Sequence, residues 1–529
     1  MRHLPAFLFA ATALVSACGD DDDSMSGGKG GTSGAGDAST GGAATGGAVG
    51  RGGTAATGGN TGEAGSPASG GSVGEGGSGG ESTGATGGAG GDGAAAGVGG
   101  EAGSAGTRHF TLTLENIAPT RPFTSAGVFN TPVGDANPGP ATPGKMYEFT
   151  IDAGRKQKLS FVTMLAATND LFFGPGGGGI GLYDSNGDPI SGDVTDQIRL
   201  WDAGTELNEE PRVGANTVSK QASPNTGPAE GGNVVDIADA TDGVAFAYPP
   251  VADVIKASVT HLTGTQFKVT IQDVSSPTAL QTSAGNFPAP LSPGVWVVHG
   301  GNDPLFTVGA PDRGLGLERI AEDGNPTLLG EYVEKNVGVT FPASPGVWVV
   351  HEFGGKPLFT TGEHDYGDGL EHIAEDGNPS ALGSQLDDLA GRVDGAIFNT
   401  PVGASKPGPI LPGLMYQASF DAKPGTALSF VSMLAATNDV FFAPQDGGIQ
   451  LFDASGRPLT GDITSQIYLW DAGTEANERP GVGPNTVTNQ LAPDTGDAGE
   501  DSVQLVSDVH DGYVYPTVRS VLKVTLKVD

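Results

Sequence analysis

Two acidic triads carry the chemistry this sequence can be read for. Asp170, Asp202 and Glu206 recur as Asp439, Asp471 and Glu475, each shifted by the same number of residues. The last two acids of each triad flank a short turn, in Ile-Arg-Leu-Trp-Asp-Ala-Gly-Thr-Glu at residues 198–206 and Ile-Tyr-Leu-Trp-Asp-Ala-Gly-Thr-Glu at 467–475. The first acid stands upstream, in Thr-Asn-Asp-Leu-Phe-Phe and Thr-Asn-Asp-Val-Phe-Phe. Converging carboxylates repel one another unless a cation joins them or they splay into water. Hard cations take six to eight oxygen ligands from carboxylates, carbonyls and water, and Gly204 lets carbonyls turn inward beside Asp202. The spacing predicts a hard-cation site at strand ends in each of two β-units.

Other polar groups compete for attention. Glu209, Glu210 and Glu478 are near enough in sequence to add ligands, or they are solvated loop acids. Asp193 and Asp462 follow a Gly and read as turn formers. Asp184-Ser-Asn-Gly-Asp188 opens like a calcium loop, but its counterpart ends in Arg457, which favours a hairpin turn. Gly174-Pro-Gly-Gly-Gly-Gly179 opens no helix and is not kept in the second copy, so it reads as a flexible hairpin. His299 and His351 end matched strands without a Ser or Cys partner in their own units, and are expected to bond to the nearby Glu-Asp-Gly turn. Glu322-Asp323 and Glu375-Asp376 are adjacent pairs whose side chains point apart, unlike a glycosidase pair. Trp201, Trp296, Trp348 and Trp470 sit in apolar strands and read as core.

The elements that position these residues are short strands. Residues 110–116 alternate with period two, and runs at 147–151, 159–164, 180–183, 197–201, 234–237 and 266–271 follow between Pro, Gly, Asn and Asp turns. No convincing helical period appears. The pattern predicts an all-β chain of antiparallel sandwiches. Residues 126–227 return at 396–496 almost without gaps, a duplicated domain rather than a solenoid. Between the copies lies a second repeat, Ser-Pro-Gly-Val-Trp-Val-Val-His at 292–299 and 344–351, each with Gly-Leu-Glu-x-Ile-Ala-Glu-Asp-Gly-Asn-Pro following, at 316–326 and 369–379. Each unit reads as a strand, a loop and one or two helical turns.

The first hundred residues have a different character. Arg2, an apolar stretch at 6–15 and Val15-Ser-Ala-Cys18 form an export signal too short to span a bilayer permanently. Small residues leading into the only cysteine look like a bacterial lipobox, so Cys18 is expected to carry a lipid, and no intramolecular disulfide is available. Residues 19–106 are Gly, Ala, Ser and Thr with little apolar surface, a composition expected to be disordered, with a reach of roughly 50 Å. A net charge of −35 argues against nucleic acid as a partner.

The ordered motifs Ser-Pro-x-Val-x-Val-Val-His, Leu-Phe, Ile-Ala-Glu-Asp-Gly, Leu-Ser-Phe-Val, Asn-Asp-x-Phe-Phe and Asp-Ala-Gly-Thr-Glu resemble the spondin domain, over most of 107–529. That domain occurs in the animal matrix proteins F-spondin and mindin and in bacterial exported proteins. The resemblance implies a C2-like, calcium-binding β-sandwich, with Ca2+ held by Asp170, Asp202 and Glu206 in one copy and by Asp439, Asp471 and Glu475 in the other. The chain departs from the animal pattern by ending each turn in Glu rather than Asp and by lacking the cysteines of the animal disulfide. The family also places the Ala-Glu-Asp-Gly unit before the core, whereas here the first core has none ahead of it and the second has two.

The expected organisation is a lipoprotein signal at 1–18, a disordered linker at 19–106, a first spondin-like domain at 107–276, an extra unit at 277–338 and a second domain at 339–529. The extra unit either packs back on the first core as a permuted completion or is a spare from unequal duplication. The expected role is calcium-dependent adhesion or binding rather than catalysis. The protein is expected to be anchored to the bacterial cell envelope, with an envelope or extracellular polymer or protein as ligand. Two rivals stand beside it: a purely structural envelope protein stabilised by calcium, and a secreted hydrolase.

Overall fold

The computed structural model describes residues 106–499 and 502–529. Signal, Cys18 and linker lie outside these residues. The described chain is built from antiparallel sheets with short helices, as the strand pattern implied.

Each half of the chain presents a seven-stranded sheet against a four-stranded one. In the first, Leu291–His299 lies between Ser125–Phe129 and Lys158–Leu165, and the sheet continues through Leu171–Pro175, Ile198–Asp202 and Val235–Asp236. Lys158–Leu165 is buried on both faces because both are covered. Leu159, Phe161 and Leu165 meet Tyr147, Val259 and Phe267 of the four-stranded sheet, while Val162 and Met164 meet helices α1 (Leu317–Asp323) and α2 (Thr327–Lys335). A continuous apolar run therefore marks the middle layer of three. The second half repeats the arrangement, with Thr426–Leu434 in the middle and helices α3 (Leu370–Asp376) and α4 (Ser380–Gln385) outside.

The repeat unit at 291–335 packs on the first core, through Leu291–His299 and α1. The opening strand corrects the expected boundary at 107. Arg108–Asn116 does not join the strands that follow it. It hydrogen-bonds Met415–Ala422 on one side and Leu522–Val528 on the other, at the centre of the second four-stranded sheet. Phe110, Leu112, Leu114 and Asn116 face that core, and Asn116 Nδ2 donates to the carbonyls of Phe341 and Ile410 at 2.9 Å. In the first half the equivalent place belongs to Gln266–Asp273, which forms a hairpin with Ile255–Thr263 and pairs with Met146–Asp152. The two halves also touch directly. Arg479 Nη1 donates to Asp152 Oδ2 at 2.8 Å and Gln157 Nε2 donates to the Gly481 carbonyl at 2.8 Å.

The helices were only partly expected. α1 and α3 fall where the Glu-Asp-Gly units placed helical turns, and both stop at a glycine of positive φ, Gly324 and Gly377. In α1 the Gly324 and Asn325 amides cap the Ile320 and Arg319 carbonyls. α2 and α4 had no sequence counterpart.

Candidate metal centre

Asp170 and Asp202 meet because their strands are neighbours: Leu171 is the register partner of Asp202. Both aspartates are almost fully buried. Asp170 is held from three directions, with Oδ2 accepting the Thr205 amide at 2.8 Å and the Glu206 amide at 3.0 Å, and Oδ1 accepting the Thr205 hydroxyl at 2.5 Å. Asp202 Oδ1 accepts the Gly204 amide at 2.8 Å, which closes the Ala-Gly turn, and Oδ2 faces the Asn208 side-chain amide. Gly204 has φ +72, and a Cβ there would strike the Asn233 backbone at 2.6 Å, so the turn requires glycine.

Burial pushes the carboxyl of Asp170 well above the usual range despite its donors, and the Asp202 charge pushes it further. Burial likewise raises Asp202, to about 6, with Asp242 adding to the effect. Two carboxylates roughly 4 Å apart repel by about 4 kcal/mol at an effective dielectric near 20, so the pair favours a proton or a cation between them.

The third carboxylate is not the expected one. Asp170, Asp202 and Glu230 each bring an oxygen within 4.8 Å of one another. Glu206 is buried close by, but its carboxylate accepts the Gly227 amide at 2.6 Å and the Asn169 side-chain amide at 3.3 Å and falls outside that group. In the second half Asp439 and Asp471 repeat the central pair, and Glu475 likewise accepts Gly496 at 2.6 Å and Asn438 at 3.1 Å. The counterpart of Glu230 is Gly499, followed by Glu500 and Asp501, which lie outside the described residues.

Several polar atoms around the first pair lack partners. Asn208, 4% exposed, leaves Oδ1 unbonded, and Glu230 leaves Oε2 unbonded. Burial, reinforced by the Asp202 and Asp242 charges, raises Glu230 to about 7. Asn477 repeats the orphaned Oδ1 beside Asp471. Buried polar groups are normally paired, so these oxygens make room for a ligand that donates positive charge. All available donors are oxygens, which fits a hard cation.

Sequence reading missed Glu230, Asn208 and Asp242. Asn208 and Asp242 left a signal, since both recur at the constant offset as Asn477 and Asp511. Glu230 left none, being an isolated acid in a Gly-rich stretch that the second copy does not keep.

The remaining candidates have structural partners. Glu209 and Glu478 accept the backbone and side-chain amides of Asn216 and Asn485, and Glu210 accepts Ser283. Asp184, Asp193 and Asp462 cap the backbone of their own turns. Trp201, Trp348 and Trp470 are buried and Trp296 is half-buried. His299 does not bond the Glu-Asp-Gly turn. Its Nε2 lies 2.9 Å from Ser160 Oγ and its Nδ1 lies 2.8 Å from the Gly301 carbonyl, and His351 repeats this with Ser429.

No protein-family model matches the chain, and no curated protein is significantly similar to it.

Proposed function

We propose that this is an exported, lipid-anchored protein whose two spondin-like, C2-like β-sandwich domains bind calcium and use it to order an adhesive or binding surface. In this reading the first domain is inserted between the opening strand of the second, Arg108–Asn116, and the rest of that domain. Cys18 supplies the lipid and residues 19–106 the tether to the cell envelope.

The observation that carries the metal is the repetition of a buried aspartate pair beside an orphaned asparagine oxygen. Asp170, Asp202, Glu230 and Asn208 Oδ1 would hold the first ion, and Asp439, Asp471 and Asn477 Oδ1 would begin the second site. Calcium supplies the charge that lets both aspartates ionise. Glu206 and Glu475 brace the loops at Gly227 and Gly496, and would have to leave those amides to reach an ion.

Binding is favoured over catalysis by the state of the histidines. Ser160 Oγ and His299 Nε2 are in hydrogen-bond contact, and both residues are buried. No helix among the described residues is long and apolar enough to cross a membrane.

The test is retention of the full chain on isolated bacterial envelopes in calcium and in chelator. The account expects retention in calcium, lost with chelator and with Asp202→Asn, Asp471→Asn. A lowered melting temperature in chelator with no retention under either condition would favour the purely structural role.

A further inference from the structure

The helices outside the two seven-stranded sheets are near copies, and they differ in charge at two places. In α1, Glu318 Oε1 accepts the Asn225 side-chain amide at 2.9 Å, and Arg319 Nη1 pairs with Asp323 Oδ2 at 2.8 Å. In α3 the counterpart of Asn225 is Asp494, and the counterpart of Arg319 is His372. One change adds a negative charge and the other removes a permanent positive one.

The backbone does not explain the change. Asn225 and Asp494 share φ 56, a left-handed conformation that Asn and Asp both tolerate. What changes is the company. Glu371 and Glu375, one turn apart on α3, and Asp494 each bring an oxygen within 4.8 Å of one another. No ion pair among the described residues reaches any of the three.

Glu375 supplies an independent pointer. It is 1% exposed, its Oε1 is satisfied at 2.7 Å by Thr474 Oγ1, and its Oε2 has no partner. An orphaned carboxylate oxygen at that depth, in a carboxylate shared with Glu371 and Asp494, calls for a positive ligand. Glu322 Oε2 is orphaned in the same way under α1, but there the neighbouring Glu318 receives the Asn225 amide, whereas around α3 Asp494 offers only carboxylate oxygens.

We propose that Glu371, Glu375 and Asp494 form a further cation site, found only in the second half and distinct from the Asp439–Asp471 pair. Its oxygen-only donors select a hard divalent cation such as calcium. Asp494 is exposed and gives the ion its route from solvent.

The experiment is calorimetric titration of the full chain with calcium chloride, comparing the native protein with Asp494→Asn and Glu371→Gln. Asn already occupies the matching position and backbone conformation in the first half, so Asp494→Asn keeps the fold. The site predicts one calcium ion fewer per chain in each variant, with the other ions binding as before. Equal numbers of ions in native protein and both variants would overturn it, as would loss of every ion in Asp494→Asn. An Asp202→Asn, Asp471→Asn protein keeps this ion, so the test is separate from that of the paired aspartates.

Discussion

Glu322 Oε1 lies 3.0 Å from Thr205 Oγ1, although the Thr205 hydroxyl is already committed to Asp170 Oδ1 at 2.5 Å. A hydroxyl has one proton to donate, so holding both contacts at once requires a proton on one of the two acids. Burial, helped by the charge of Glu206, pushes the Glu322 carboxyl up to about 8, and burial raises Asp170 as well. The α1 helix thus reaches the candidate metal centre through the Glu322–Thr205 contact. Glu375 and Thr474 repeat the contact at 2.7 Å.

This makes Glu322→Gln and Glu322→Ala separable. The Gln amide also donates, so Glu322→Gln is expected to leave stability within about 0.5 kcal/mol. Glu322→Ala leaves the Thr205 contact unmade and is expected to cost about 1–3 kcal/mol. Urea unfolding of both variants measures the difference, and equal losses would remove the hydrogen bond from the account.

Calcium affinity is expected to fall with acid. Asp202 has its carboxyl raised to about 6, above its ordinary 3.8, so the metal-free fold holds protons there that the unfolded chain releases. Stability of the metal-free protein from this group therefore decreases as pH rises from about 4 to about 6, while a cation displaces the proton. Titrations at pH 5 and pH 7 should show weaker binding at pH 5. In buffers of different ionisation enthalpy they should also show proton release. Affinity independent of pH would contradict a protonated pair.

The histidines give the opposite sign. Burial, and to a lesser degree Lys158, lowers His299 to about 4 from its ordinary 6.5. The unfolded chain then binds the proton first, so stability is lost as pH falls from about 6.5 to about 4, on the order of 3 kcal/mol for a fully buried ring. His299→Gln should flatten the fall in urea midpoint across that window. His351, lowered by burial as well, should keep part of it. An unchanged slope would mean that His299 protonates as easily in the fold as in the unfolded chain.

Deleting residues 107–117 is expected to loosen the distant second half rather than the adjacent first. Met415–Ala422 and Leu522–Val528 both lose their shared partner, whereas Gln266–Asp273 keeps its place. Limited proteolysis should cut near 415–422 or 522–528 before it cuts 146–273. Earlier cleavage in the first half would reverse the assignment of this strand.

The strand at 108–116 also shows where sequence reading ended. Its alternation of Phe110, Leu112 and Leu114 announces a half-buried strand, but the two four-stranded sheets offer nearly the same apolar face. What decides is local: Gln266–Asp273 closes onto Ile255–Thr263 across a turn, a loop costing little entropy, and so fills the first sheet. The aspartate pairs were legible because duplication kept them at a constant offset between flanking apolar runs. Glu230 was not, because it reaches the pair only once the Gly-rich turn folds back along Thr205 and Glu206. α2 was missed because its apolar face, Leu329 and Val333, is too short to stand out from the strands around it.

The most direct measurement is calorimetric titration of the full chain with calcium chloride beside an Asp202→Asn, Asp471→Asn variant. The account predicts that the native protein binds calcium and that the variant loses two ions, one from each aspartate pair. A variant that binds as many ions as the native chain, with melting in chelator unchanged for both, would contradict it.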